Sequence, residues 1–193
     1  MTETFTPPPG FVDGPPPSVA PLAGLVSRTE EIVVERPIAQ AVAAIKALPL
    51  ADMIDGATGL PGVRGTHVLT PGGFGHAGSR HIVFLTDGTT IVEQVLERVQ
   101  TDDEYRQRYV VWNYTTPAAK PIRYGQAEFH YQAEGEGRTR IRWTYGFELY
   151  ANRFPGFLGP LGGRLLKAML LDGAYAKWMQ GTLRRMKAAI EAA

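Results

Sequence analysis

Residues 138–150 read RTRIRWTYGFELY, and this stretch decides the architecture. Every second side chain is apolar (Ile141, Trp143, Tyr145, Phe147, Leu149), with Arg140, Arg142, Thr144 and Glu148 between them. Side chains of a strand point alternately to its two faces, so this pattern predicts a strand with one buried face. The C-terminal segment has to cover that face. From Leu161 to Glu191 the period becomes helical: Leu161, Leu165, Ala168, Tyr175, Met179, Leu183, Met186 and Ile190 share one side at 100° per residue, and Lys167, Lys177, Arg184 and Arg185 share the other. Such a helix would be about 45 Å long and must lie along a sheet.

Upstream, strand signals recur at short intervals: Val63–Leu69, Arg80–Leu85, Thr90–Val99, Tyr105–Tyr114 and Ile122–Gln132. Asp87-Gly88 is a strong hairpin turn signal, and EGEG (134–137) precedes the last strand. Connections this short require antiparallel pairing, because parallel neighbours need a crossover of about a dozen residues. Before them, Thr29–Arg36 predicts a strand stopped by Pro37, and Ile38–Leu48 a short amphipathic helix with Ile38, Val42 and Ile45 on one side. MIDGATGLPGVRG (53–65) reads as a loop or a short second helix. The result is an α+β domain, one antiparallel sheet wrapping one helix.

Seven of the 15 prolines fall at Pro7, Pro8, Pro9, Pro15, Pro16, Pro17 and Pro21. Proline fixes φ and lacks a donor, so residues 1–26 are expected to be a flexible, extended tail and 27–193 the folded domain. The formal charge is +1, and the domain without its tail holds 20 basic against 17 acidic residues, too mild for a nucleic-acid binder. The absence of cysteine excludes disulfides, thiolate nucleophiles and Cys-ligated zinc. The N-terminus has no signal-peptide pattern and no stretch reaches the apolar length of a membrane span, so a soluble, cytoplasmic chain without integral membrane association is expected.

Four ordered groups of residues resemble the SRPBCC superfamily, the START-like, birch-pollen-allergen-like and polyketide-cyclase-like helix-grip proteins. They are Arg28–Glu35 with Pro37-Ile38; Gly78-Ser79-Arg80, Asp87-Gly88 and Glu93; Thr139–Trp143 with Phe147; and Leu183–Glu191. The resemblance covers residues 28–193 and implies a curved seven-stranded antiparallel sheet around the C-terminal helix, with a largely apolar cavity between them. It implies a lipid-, sterol-, polyketide- or hormone-like ligand, and in some members cyclisation or dehydration. It carries no shared catalytic residues, and fold alone does not decide function.

The candidate ligand-binding residues are Trp143, Tyr145, Phe147, Tyr109, Glu93, Arg80, Asp172, Tyr175 and Met179. Trp143 and Tyr145 offer flat aromatic faces and a hydroxyl, and core packing is their alternative role. Asp172 falls in the apolar stripe, where an unpaired carboxylate is costly. It is expected at the cavity, unless Gly173 rephases the helix and leaves it near solvent. Glu93 and Glu97 share one strand face, but about 13 Å apart, too far for paired-carboxylate glycosidase chemistry. Glu93 is read as a cavity group or as the cross-strand partner of Arg80. Strand 105–114 can turn in Tyr105, Gln107, Tyr109 and Val111, or else Arg106, Arg108, Val110 and Trp112; the resemblance favours Tyr109 and Val111.

His67, His76, His81 and His130 show no metal-ligand spacing, and His81 meeting His130 across the sheet is a remote alternative to satisfied histidines. Gly72–Gly75 precedes no helix, so it reads as a mobile loop at the cavity mouth rather than a phosphate cradle. No G-x-S-x-G elbow supports a hydrolase. No cofactor and no metal are expected. The expected function is binding of a small hydrophobic or aromatic ligand. The alternative is a metal-free cyclase/dehydratase using Asp172, Glu93 or Tyr145, and a third option is a sensor or partner protein that interacts through its tail. A homodimer stays open.

Overall fold

Seven strands form a single antiparallel sheet in a computed structural model, which describes residues 4–57, 59–135 and 137–193. They are β1 (Val26–Val34), β2 (Val63–Val68), β3 (Arg80–Leu85), β4 (Thr90–Gln100), β5 (Glu104–Trp112), β6 (Ile122–Ala133) and β7 (Thr139–Leu149), in the order β1-β7-β6-β5-β4-β3-β2. Glu136 of the expected EGEG turn, Thr58 of the expected 53–65 segment and Met1–Glu3 of the tail lie outside the described residues.

β1 and β2 are consecutive strands on opposite edges of the sheet. Helices α1 (Ile38–Ala47) and α2 (Leu50–Met53) bridge them, each entered from a proline, Pro37 and Pro49. α1 buries Ile38, Ala41 and Val42, so the side with the branched residues is the one that packs inward. β1 pairs with β7 in continuous register from Val26↔Phe147 to Val34↔Thr139. The alternation read in residues 138–150 puts Ile141, Trp143, Tyr145 and Phe147 in the core.

The C-terminal helix fills the concave face in three parts. α3 (Pro160–Leu166) and α4 (Ala176–Ala192) are α-helical, and Lys167–Tyr175 between them is π-helical. A π-helix bonds each residue to the fifth along and so lengthens the turn. The buried stripe accordingly runs Leu166, Leu171, Tyr175, Met179, Leu183, Met186, Ile190, with a step of five at its start. This corrects the uniform 100° reading: Leu161 is exposed, and neither Leu165 nor Ala168 belongs to the stripe. Each fully buried Leu, Ile or Met is worth about 1.5–3 kcal/mol, so Leu171, Met179, Leu183, Met186 and Ile190 clamp the helix to the sheet.

The proline-rich segment lies along the outer face of the sheet. Leu25 with Phe11, Val19 and Leu22 packs on Val92, Val110, Trp112 and Tyr124, side chains that point away from the helix. The Ala20 amide donates to Tyr124 Oη at 2.8 Å, Arg80 pairs with Asp13 at 2.8 Å, and the Phe5 ring sits 5.0 Å from that of Phe84. The segment is irregular apart from a 3₁₀ turn at Leu22–Gly24, and Phe5, Phe11 and Val19 supply apolar anchors between the prolines. Among the described residues, no helix is long and apolar enough to cross a membrane.

Candidate functional site

The sheet, α1, α2 and the C-terminal helix line a cavity of about 460 Å³, with Phe74 and Gly75 of the β2–β3 loop in its wall. Its apolar wall is Leu50, Met53, Ile54, Phe129, Tyr131 and Met186; its polar wall is His81, Glu93, Arg98, Tyr105, Gln107 and Tyr109, with Lys46 at the mouth. The volume is within the usual range for small-molecule sites. Beyond Tyr109 the grip is solid. Trp143 stacks on Phe129 at 4.8 Å, and Tyr145 and Phe147 both meet the Tyr175 ring edge-on at 5.3 Å. Met179 is fully buried in the same cluster.

The nine candidate residues therefore divide by position. Glu93 and Tyr109 line the cavity. Trp143, Tyr145, Phe147, Tyr175 and Met179 are packed core next to it, the alternative role considered for Trp143 and Tyr145. Arg80 points to the outer face and holds Asp13. Asp172 is 45% exposed and accepts from Arg28 at 2.8 Å, with Lys167 at 3.7 Å. Its expected place at the cavity is thus corrected: the π-helical turn points Leu171 inward and Asp172 toward β1.

Strand register also reassigns the partner of Glu93. Arg80 pairs with Gln94, while His81 pairs with Glu93, so His81 and Glu93 are the two that share the inner face. His81 Nε2 lies 3.7 Å from Glu93 Oε1, and its ring stacks on Phe74 at 3.6 Å. That Nε2 is buried and makes no hydrogen bond to any described residue. His130 does not meet His81: it lies on the outer face, 3.1 Å from Glu104. Among the described residues no three His, Asp or Glu side chains converge as metal ligands would.

β4 carries a bulge. Val95 pairs with Tyr109 but Glu97 pairs with Arg108, so Leu96 is the extra residue. Leu96 joins the outer apolar cluster, Glu97 pairs with Arg108 at 3.2 Å, and Arg98 comes round to the cavity opposite Gln107. The expected common face of Glu93 and Glu97 is corrected by that one residue. Strict alternation hid Arg98, and only the apolar Leu96 between Gln94 and Glu97 signals the break. On β5 the inward set is Tyr105, Gln107, Tyr109 and Val111, the phase favoured by the resemblance.

The phenols beside the cavity stay protonated. Burial, followed by the Glu93 charge, pushes Tyr109 well above its ordinary range, and the Trp143 indole N–H donates to its oxygen at 3.1 Å. Burial likewise raises Tyr114, Tyr145 and Tyr175, with neighbouring tyrosines as the next cause in each. Tyr114 and Tyr145 converge over Gly125, where a Cβ would stand 2.7 Å from Tyr114 Oη and from Tyr145 Cε1. The site thus combines neutral hydroxyls, one carboxylate, one buried imidazole and two cations around an apolar chamber.

A curved sheet gripping a helix over a lined chamber defines a helix-grip protein of the SRPBCC superfamily. Residues 26–191 match the family described as polyketide cyclase / dehydrase and lipid transport, and the chain belongs to that family. In fold it is similar to the crystal structure of Ara h 8.0201, with TM-score 0.57 and 14% identity over 88% of this chain and 100% of that one. It is also similar to the XoxI protein of Bacillus cereus, with TM-score 0.52 and 15% identity over 83% of this chain and 94% of that one. A Thermobifida fusca protein solved by NMR gives TM-score 0.52 and 16% identity over 86% and 95%. No curated protein sequence matches the chain.

Proposed function

We propose that the chain binds a small hydrophobic or aromatic molecule in the cavity between α1–α2, the sheet and Met186. The observation that carries this reading is the chamber itself: about 460 Å³ beside the packed aromatic cluster of Trp143, Tyr145, Phe147 and Tyr175. Core interiors pack at crystal-like density, so a space of this size lined by apolar and aromatic side chains is the natural place for a ligand. Membership of a family described by polyketide cyclisation and lipid transport agrees with it. The test is uptake of a neutral fluorescent naphthalene probe by the purified chain and by Ile54→Trp, which fills the chamber. Saturable binding by the wild type that is lost in Ile54→Trp, with unchanged circular dichroism, is the expected result. A wild-type chain that takes up no probe, or a filled variant that binds as well, overturns the reading.

A second reading, a cyclase/dehydratase, is favoured by one specific observation. Glu93 and His81 lie 3.7 Å apart on the cavity wall with Tyr109 adjacent, so a base and a proton donor can face the same substrate carbon. In this reading Glu93 removes a proton α to a carbonyl, with His81 beside it, and the neutral Tyr109 hydroxyl supports the developing oxyanion. Asp172, half-exposed and turned toward β1, takes no part. Turnover of a poly-β-ketone substrate that Glu93→Gln abolishes, with probe binding retained, would establish it.

A further inference from the structure

The bulge that brings Arg98 inward also sets it beside Lys46. The Arg98 guanidinium lies 5.6 Å from the Tyr105 ring centroid and donates to Gln107 Oε1 at 2.9 Å. Lys46 Nζ, reaching from α1, stands 5.1 Å from the same ring and donates to Gln100 Oε1 at 2.8 Å. The Tyr105 hydroxyl donates to that same Gln107 oxygen at 2.6 Å, which holds the guanidinium in place.

Neither cation has a carboxylate partner among the described residues. Glu97 and Glu104, on the strands that carry Arg98 and Tyr105, are engaged on the outer face: Glu97 with Arg106 and Arg108, and Glu104 with Arg106 and His130. Arg98 Nε is buried without a hydrogen-bond partner among the described residues. Desolvation, followed by the Arg98 charge, holds the Lys46 ammonium below the usual lysine range, as two like charges sharing one ring should. An anion placed between them would relieve that repulsion.

The opposite end of the chamber has the opposite character. Glu93 pairs with Val111 and Arg98 with Gln107, so four residues of β5, about 13 Å, separate the acid from the cation. A ligand anion at the Glu93 end would face a carboxylate; at the Arg98 end it meets two cations and the Gln107 amide. Between Val111 and Gln107 on β5 lies Tyr109, and Met53, Ile54 and Met186 line the same chamber.

We propose that Lys46 and Arg98 clamp the carboxylate of an amphipathic ligand, an acyl or aromatic acid, whose apolar body extends along the chamber toward Glu93. This rests on the reading of the chamber as the ligand site. A guanidinium offers two parallel donors to a carboxylate and an ammonium adds a point charge, so the pair suits one anionic head at the mouth.

The test is fluorescence titration of the full-length chain with a dansyl-labelled long-chain fatty acid and with its methyl ester, which differ only in head charge. The wild type should bind the acid about tenfold more tightly than the ester, a preference that shrinks as salt rises. Arg98→Gln and Lys46→Met should each remove most of that preference, by weakening the acid more than the ester. Arg98 also packs against the Gly75 turn, within 2.9 Å of where a Cβ would stand, so an equal loss for both probes in Arg98→Gln reports a disturbed loop. Lys46→Met, at an exposed position on α1, then decides. Equal wild-type affinity for acid and ester, or an undiminished acid preference in Lys46→Met, overturns the clamp and leaves the chamber reading standing. Binding of neither probe overturns both.

Discussion

Asp172 accepts a 2.8 Å hydrogen bond from Nη1 of Arg28, and Arg28 in turn reaches Glu30 at 2.5 Å, so a charged network on β1 holds the π-helical turn. The carboxylate that looked most out of place in the apolar stripe is a tether between the helix and the sheet edge.

Asp172→Asn should therefore leave probe affinity in the chamber unchanged. Partly exposed ion pairs contribute little, so the stability loss should be at most about 1 kcal/mol by urea denaturation. A change in probe binding greater than about threefold, taken as well outside titration scatter, would return Asp172 to the ligand site.

The run of antiparallel strands and the presence of a closing helix were legible because they follow two simple periods. β3 has the bounds read from RHIVFL, and the inner set of β7 is Ile141, Trp143, Tyr145 and Phe147. The site was less legible because it depends on two breaks in those periods. One extra residue at Leu96 exchanges Glu97 for Arg98 at the cavity, and one π-helical segment exchanges Asp172 for Leu171 in the core. Neither break has a glycine or proline signature strong enough to show in one sequence; Gly173 alone hinted at the second. The position of the proline-rich segment was hidden for another reason. Its composition favours an extended chain but says nothing about which surface Phe5, Phe11 and Leu22 cover.

That segment should contribute to stability through the outer cluster. Deleting the chain through Pro21 would expose Val92, Val110 and Trp112 on the convex face. Loss of the partly buried Phe11 and Val19 should cost about 2–4 kcal/mol, with a red shift of tryptophan emission. Tyr124→Phe, which removes the acceptor of the Ala20 amide, should cost about 1 kcal/mol. A truncated chain as stable as the full one would show that the outer cluster does not depend on the segment.

Gly125 is required by close approach rather than by its backbone angle. An added methyl would stand 2.7 Å from both Tyr114 Oη and Tyr145 Cε1, two ring systems fixed in the core. Gly125→Ala should destabilise the fold by about 1–3 kcal/mol. Combining it with Tyr114→Phe should recover part of the loss, because removing that hydroxyl clears one of the two contacts and leaves the other. Strict additivity of the two changes would show that the contact does not govern the cost.

The buried phenols make the protein's response to alkali predictable in sign. Tyr109, Tyr114, Tyr145 and Tyr175 hold their protons well above the ordinary value of 10.0, chiefly because burial disfavours the phenolate. Tyr131 is shifted the same way, first by burial and then by Tyr105. A raised folded-state value means that the folded chain binds these protons more tightly than the unfolded chain does. Their contribution is therefore fully present below pH 10 and is lost as pH rises beyond it. Phenolate absorbance of this cluster should appear only together with loss of near-ultraviolet circular dichroism, as one cooperative alkaline transition. A bound anionic ligand in the chamber would add its charge close to Tyr105 and Tyr109 and should not advance that transition. Phenolate formation by all five tyrosines at pH 10, with the near-ultraviolet spectrum intact, would contradict the dry aromatic core.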